Sequence, residues 1–270
     1  MITTTDAATV LLADAAFGDD PGRWPLPSAT TPQERWLRAV AAGGQGRYGC
    51  ALADLSVINR SVGSGPLLSL SHSTRASFLR QLGGHDRARC ADGQAWAHSG
   101  GDDAADPEAP ADALIGLAAD ALGIGRFAVS GRLLDRARSV VGDGNGRPAV
   151  RLAWVSAELA MMSGDGARAV THAERGVEAA AGYASARHAV KSDVVLAAAL
   201  CSAGHVDRAR VVADAALSAT EKLGLVPLRW ALACLLADIG SAVHSSAHVG
   251  TIRDVSADTV RRRGGAWSGE

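Results

Sequence analysis

His244 and His248 are spaced four residues apart. On a helix that spacing would turn both imidazoles to one side, where they could share a metal. The Ser-Ser-Ala between them and Gly250 just beyond make a stable helix doubtful, and no carboxylate or thiol lies close in sequence to complete a site. The segment Gly142-Asp143-Gly144-Asn145-Gly146 looks like part of a calcium loop but lacks the acidic spacing and the closing Glu that calcium needs. Cys50, Cys90, Cys201 and Cys234 are far apart, so no CxxC pair is present for zinc or redox chemistry. They read as buried free thiols in a reducing cytoplasm. Arg253 and the run Arg261-Arg262-Arg263, followed by Gly-Gly-Ala-Trp, have the residue types that touch phosphates and stack on a base. One short run fits a solvated, mobile tail as well. The phosphate loop with Lys, GxSxG, HExxH and GxGxxG after a strand are all missing. The expectation is a protein without catalytic residues, metal or cofactor.

Side chains of this kind need elements to position them, and the composition says which. The 270 residues are 47% apolar but 4% aromatic, and alanine supplies roughly a fifth of the chain. Alanine loses no side-chain entropy in a helix and lets helices approach closely. Such a core suits many thin helix–helix contacts better than one thick centre. The formal charge of −1 gives no global attraction to nucleic acid or acidic lipid. Lys191 and Lys222 are the two lysines, the rest of the positive charge being arginine. No apolar run is long enough to span a bilayer, and residues 1–30 read as a loose leader without a signal peptide, with a short helix from Ala7 to Ala16.

The first firm helix start is Thr31-Pro32-Gln33-Glu34, a capping box with proline at the first helical position. Helical stripes then recur, as in Leu114, Leu117, Ala118, Ala121, Leu122 and in Ala209, Val212, Ala213, Ala216, Leu217. Sustained alternation with β-branched enrichment is absent, so an all-α fold is expected. Loops fall at Ser61–Pro66, Ser99–Pro110 and Gly142–Pro148.

One pattern returns five times: a turn glycine, then a small residue five positions later. The pairs are Gly46 and Ala51, Gly83 and Ala88, Gly125 and Ser130, Gly164 and Ala169, and Gly204 and Ala209. Successive glycines are 37, 42, 39 and 40 residues apart, a repeat spacing. Glycine takes the left-handed conformation that a tight helix–helix turn requires. The small residue lies where the two helices cross. His85 and His205 occupy nearly the same place in their turns, where any polar residue is tolerated.

Over roughly residues 32–240 this resembles the tetratricopeptide repeat. The third unit carries Leu114, Leu117, Ala118, Gly125, Phe127, Ser130, Leu134 and Ala137. The fifth carries Leu196, Ala197, Leu200, Gly204, Ala209, Ala213 and Ala216. The spacing exceeds that family's 34, the turn aromatic is absent from the second, fourth and fifth units, and the closing proline is missing nearly throughout. It is similar to the longer helical repeats attached to some bacterial transcription activators. The resemblance implies a right-handed superhelix of about five helix–turn–helix units over residues 31–240, with Val226–Ile239 as a closing helix and residues 241–270 as an extension with a basic tail.

In that family the concave groove, lined by first helices, holds an extended or helical peptide. Carried over, the fourth unit presents Arg151, Trp154, Glu158 and Met162, the fifth presents Lys191, Val195 and Ser202, and Arg229 adds a charge from the closing helix. Such a groove suits an acidic or C-terminal peptide segment. Alternatively Trp154 and Met162 are packed core and the charges are solvated. The resemblance implies a cytoplasmic interaction scaffold with a protein or peptide partner. The alternative is a regulatory module in transcription control, acting through a DNA-bound partner or the arginine run.

Overall fold

The computed structural model describes residues 7–101, 104, 106–142 and 144–268. Residues 1–6 of the leader, positions 102, 103 and 105 of the Ser99–Pro110 linker, and Asp143 of the glycine-rich loop lie outside that set. Among the described residues the chain forms thirteen helices and no strand. A first helix, α1 (Ala7–Phe17), precedes six antiparallel pairs. These are α2 (Pro32–Gly44) with α3 (Tyr48–Ser61), α4 (Pro66–Gln81) with α5 (His85–His98), and α6 (Glu108–Gly123) with α7 (Phe127–Val141). They continue with α8 (Arg147–Met162) and α9 (Gly166–Tyr183), α10 (Ala186–Ser202) and α11 (Val206–Lys222), and α12 (Val226–Ile239) and α13 (Ser246–Arg262). Each pair's first helix packs on the next pair's first helix, α2 on α4, then α6, α8, α10 and α12. This is the stacking a repeat protein needs to bury its apolar stripes.

The five turn glycines lie between helices, each with positive φ: 73° at Gly46, 84° at Gly83, 76° at Gly125 and Gly164, and 82° at Gly204. The small residues five positions on (Ala51, Ala88, Ser130, Ala169 and Ala209) are each 0% exposed. The core follows the same logic. It is a string of thin clusters, one joining α6, α7 and α8, another α8, α9 and α10, another α10 to α13.

The capping box at Thr31 is formed: the Glu34 amide donates to Thr31 Oγ1 at 3.2 Å, and the Thr31 amide donates to Glu34 Oε2 at 2.9 Å. Glu34 also accepts from Thr9 Oγ1 at 2.8 Å and from the Thr30 amide at 2.8 Å. One carboxylate thus ties α1 to the start of α2.

Three expectations need correction. Beyond its first six residues, the leader is not loose. Leu12, Ala15 and Ala16 are buried in the core of the first pair, with Phe17 against Trp36 at 5.4 Å. The helix was legible as a short apolar run, but its docking partners were distant in sequence. Residues 241–270 are not a free extension, because α13 is the second member of a sixth pair. The chain after it returns to the first two pairs: the Gly49 amide donates to the Arg263 carbonyl at 2.9 Å, Arg263 Nη1 donates to the Gln45 carbonyl at 2.6 Å, and the Ser268 amide donates to the Leu82 carbonyl at 2.7 Å. The cysteines are free, but Cys50 and Cys90 are exposed and Cys201 and Cys234 half-buried. Alanine already fills the crossings, so the thiols fall outside them.

Charge is buried between α4, α5 and α6. Arg80 pairs with Asp92, and its Nη1 lies 3.1 Å from Asp120 Oδ1. One cation serving two buried carboxylates leaves one in excess. Burial pushes Asp92 up to about 7, Arg80 opposing and Asp120 adding to the rise. Asp120 is raised too, again chiefly by burial. Glu34 goes the other way, lowered to about 2 by the Thr31 and Thr30 amides and the Thr9 hydroxyl.

The packing and the buried charge can each be tested. Ala209→Leu is expected to cost about 1–3 kcal/mol by overfilling a crossing. Ser130→Ala, which removes a buried hydroxyl without an acceptor, is expected to add about 1 kcal/mol. Urea titrations read both, and shifts of the same sign contradict the crossing scheme. For pH, the folded state holds a proton on Asp92 that the unfolded chain releases above its ordinary value of 3.8, so stability rises as pH falls from about 7 toward 4. The Glu34 contribution is complete above 4.5 and is lost as pH falls toward 2. Melting profiles should show the wild type gaining on Asp92→Asn between pH 7 and pH 5. An unchanged difference between them removes the assignment.

Candidate functional site

The first helices of the six pairs face one central cavity of about 530 Å³. The volume is in the range of small-ligand sites. The wall from α8 carries Arg147, Arg151, Trp154, Glu158 and Met162, and the wall from α10 carries Arg187, His188 and Lys191. Ser77, Phe78 and Gln81 of α4 and Leu228 and Trp230 of α12 also line the cavity. Trp267, from the chain returning after α13, closes one side. Its ring lies 4.2 Å from that of Trp230.

The rings are held from behind. Trp154 Nε1 donates to Ser192 Oγ at 2.8 Å, and Ser192 Oγ donates to the Gly176 carbonyl at 3.1 Å. Trp36 makes the same kind of bond one repeat on, to Thr74 Oγ1 at 3.0 Å. A fixed indole presents its face without losing rotamer freedom on binding. His188 stacks on Trp154 at 5.5 Å, shares a 2.9 Å hydrogen bond from Nδ1 with Ser185 Oγ, and is buried. Burial first, then Arg187 and Arg147, hold its pKa well below the ordinary value, so it is neutral at pH 7.

The cavity's charges are largely paired. Arg147 donates from Nε to Glu108 Oε1 at 2.9 Å, and both Arg147 and Arg151 pair with Asp112. Burial would raise Asp112, but the two arginines overcome it and hold the carboxylate lowered. Glu158 Oε1 lies 3.7 Å from Lys191 Nζ. Arg187 differs: its Nη2 donates to the Ala16 carbonyl at 3.2 Å, while its Nε is buried without a hydrogen-bond partner.

Of the eight residues carried over as groove positions, the structure brings Arg151, Trp154, Glu158, Met162 and Lys191 together on the cavity wall. The other three are elsewhere. Val195 is 2% exposed and packs among Ala157, Ala160, Ala169, Ala173 and Ala199, filling the α8–α9–α10 junction. Ser202 ends α10, and its carbonyl lies against Gly166 at the head of α9. Arg229 turns to Glu221 of α11 at 3.0 Å, while its neighbours Leu228 and Trp230 line the cavity. The expected wall ran the length of α10, but the α8–α9–α10 junction takes Val195 and Ser202 is exposed at the helix end, so the cavity keeps the first two turns.

The arginine run is not a free tail. Arg261 and Arg262 lie in the last turn of α13, with Arg261 on Asp258 and Arg262 on Thr259, and Arg263 is turned to the first pair. The rings of His244 and His248 are 5.0 Å apart, with His248 in α13 and His244 before its cap, Ser245. Among the described residues no cluster of three metal-ligating side chains occurs. His85 lines the cavity, and its ring packs where Gly123 has no side chain. Arg147, Arg187, His188, Trp230 and Trp267 were not anticipated. A signal for three of them was available. Trp36, Trp154 and Trp230 each stand ten residues before a glycine, and Arg147 and Arg187 are one 40-residue repeat apart.

No protein-family model matches the sequence, and no curated protein matches it. Among solved structures, the chain is similar to a Rap protein complexed with Competence and Sporulation Factor, with a TM-score of 0.64 and 14% identity over 88% of this chain and 68% of that one. At this identity the likeness is one of fold, an all-helical, tetratricopeptide-like repeat.

Proposed function

We propose that this protein is a binding scaffold without turnover, which holds a short peptide segment of a partner inside the cavity lined by the first helices. One observation carries the reading: all six first helices line a single 530 Å³ cavity, and four of them, α4, α8, α10 and α12, bring rings or cations to it. A core built from alanine does not need those rings for packing. Trp154, Trp230 and Trp267 offer flat apolar faces, and arginines beside them offer bidentate donors, the usual anchors of a recognition site. The two carboxylates on the wall, Asp112 and Glu158, are engaged by cations, which favours binding over acid–base chemistry. A neighbour of the same fold solved with a bound factor is in keeping with the reading. The exposed thiols of Cys50 and Cys90 suit a reducing cytoplasm, and no helix among the described residues is long and apolar enough to cross a membrane.

The test is occupancy. A mixed pentapeptide pool titrated into the full chain should change tryptophan fluorescence, since three of the rings line the site. Ala119→Trp, which projects bulk from the α6 wall into the cavity, should weaken that response about tenfold or more while the melting midpoint moves by only a few degrees. Peptides that still bind the filled cavity with wild-type affinity would place recognition on another surface and sink the proposal.

A further inference from the structure

Charges on the first helices repeat from pair to pair, and the row on α10 is only half paired. Glu108 and Asp112 stand four apart on α6. Thirty-nine residues on, Arg147 and Arg151 stand four apart on α8. Forty residues further, Arg187 and Lys191 stand four apart on α10. Four-residue spacing puts both side chains of each row on one face of the helix. The acidic row neutralises the first cationic row, through the Arg147 pairs with Glu108 and Asp112 and the Arg151 pair with Asp112. The second cationic row has no acidic row beyond it. The positions forty residues on are Pro227 and Ala231, both on the cavity wall.

Lys191 has a partly exposed pair with Glu158 at 3.7 Å. Among the described residues Arg187 has no carboxylate. Its side chain lies between the end of α1 and α2, with the guanidinium 5.9 Å over the Phe17 ring, and it lines the cavity. Burial and then the neighbouring Arg147 pull its pKa down to about 10. Arg147 suffers the same burial, yet Asp112 and Glu108 drive it upward instead. The two arginines are one repeat apart, and they differ in whether the protein supplies the counter-charge.

We infer that Arg187, with Lys191 beside it, is the seat for a carboxylate of the bound segment, so that the cavity takes a short peptide carrying a negative charge and discriminates against neutral ones. The ligand completes the row that the fold leaves open. A carboxylate reaching a buried, unpaired guanidinium gains a charge-assisted hydrogen bond that a neutral amide does not. The carboxylate can come from a chain terminus or from an Asp or Glu side chain, and either meets the same donors. This inference rests on the peptide reading of the cavity and adds the ligand's charge to it.

Three pentapeptide pools separate these cases on the full chain, read by tryptophan fluorescence and melting midpoint. One pool has free C-terminal carboxylates and no Asp or Glu. A second is amidated and has no Asp or Glu. The third is amidated and carries one Asp. The expected result is that one or both charged pools bind at least about tenfold more tightly than the neutral pool, with the advantage shrinking as salt rises. Which charged pool responds identifies the source of the carboxylate. Arg187→Gln should erase the advantage while keeping or raising the melting midpoint, since it removes an uncompensated buried charge. Equal binding of all three pools overturns the charge inference and leaves the peptide reading standing. No binding by any pool overturns the peptide reading and this inference with it. An Arg187→Gln variant that keeps the preference, or that loses many degrees of stability, makes Arg187 a structural cap on α1 and overturns the assignment. The wild-type pool comparison decides the charge question even where that variant folds poorly.

Discussion

Five of the six helix pairs depend on one contact: a residue no larger than serine, wholly buried, where two antiparallel helices cross five positions after a left-handed glycine. The glycine lets the chain reverse within one turn, and the small residue sets how closely the two axes approach. Repeating that contact at intervals of 37 to 42 residues produces stacked pairs with nearly the same geometry. A side chain's fate is then decided largely by its place in the repeat. This is why Trp36 and Trp154 each donate to a hydroxyl 38 residues ahead, and why rows of acid and base on α6 and α8 meet.

Close crossings also explain where the bulk goes. Pairs sealed by Ala51, Ala88, Ala169 and Ala209 have little room for rings between them. Rings therefore stand on the inner surface, as with Trp154 and Trp230, or at the seam where the chain's two ends meet, as with Tyr48, Phe78 and Trp267. The seam turns a curved stack into an enclosure. Phe17 of α1 sits between Trp36 and His188, at 5.4 and 6.1 Å, and Trp267 sits on Trp230. An open groove would leave these faces in water. The closed ring desolvates them on one side and leaves the other toward the cavity.

What was legible in the sequence was what is local. The Thr31–Glu34 box, the five turn glycines and the small residues that follow are short-range signals, and each is where its spacing put it. On α8 the groove positions that the tetratricopeptide resemblance implied, Arg151, Trp154, Glu158 and Met162, do stand on one wall. The failures have a common cause. Val195 and Ser202 were assigned to a wall because the resemblance implied groove positions along α10, whereas the junction with α8 and α9 takes Val195 and Ser202 stands exposed at the helix end, and such contacts depend on how far each pair rotates on the last. The docking of α1 and the return of residues 263–268 link positions more than 170 apart, as from Arg187 to Ala16 and from Arg263 to Gln45. No periodicity in the chain encodes such closures.

The buried charges show how a repeat can be uniform in shape and uneven in chemistry. Two arginines 40 residues apart occupy corresponding places, and their surroundings diverge because the preceding helix carries acids in one case and the following helix carries proline and alanine in the other. Paired, Arg147 is part of the frame, and losing either partner would strand a charge. Unpaired, Arg187 contributes nothing comparable to cohesion, holding one carbonyl of α1 while its Nε stays unsatisfied. A protein selected for stability alone would replace such a residue readily, since most buried polar groups find partners. It stands at the cavity wall, beside rings held by hydrogen bonds, and it is there that the repeat's chemistry departs furthest from its shape.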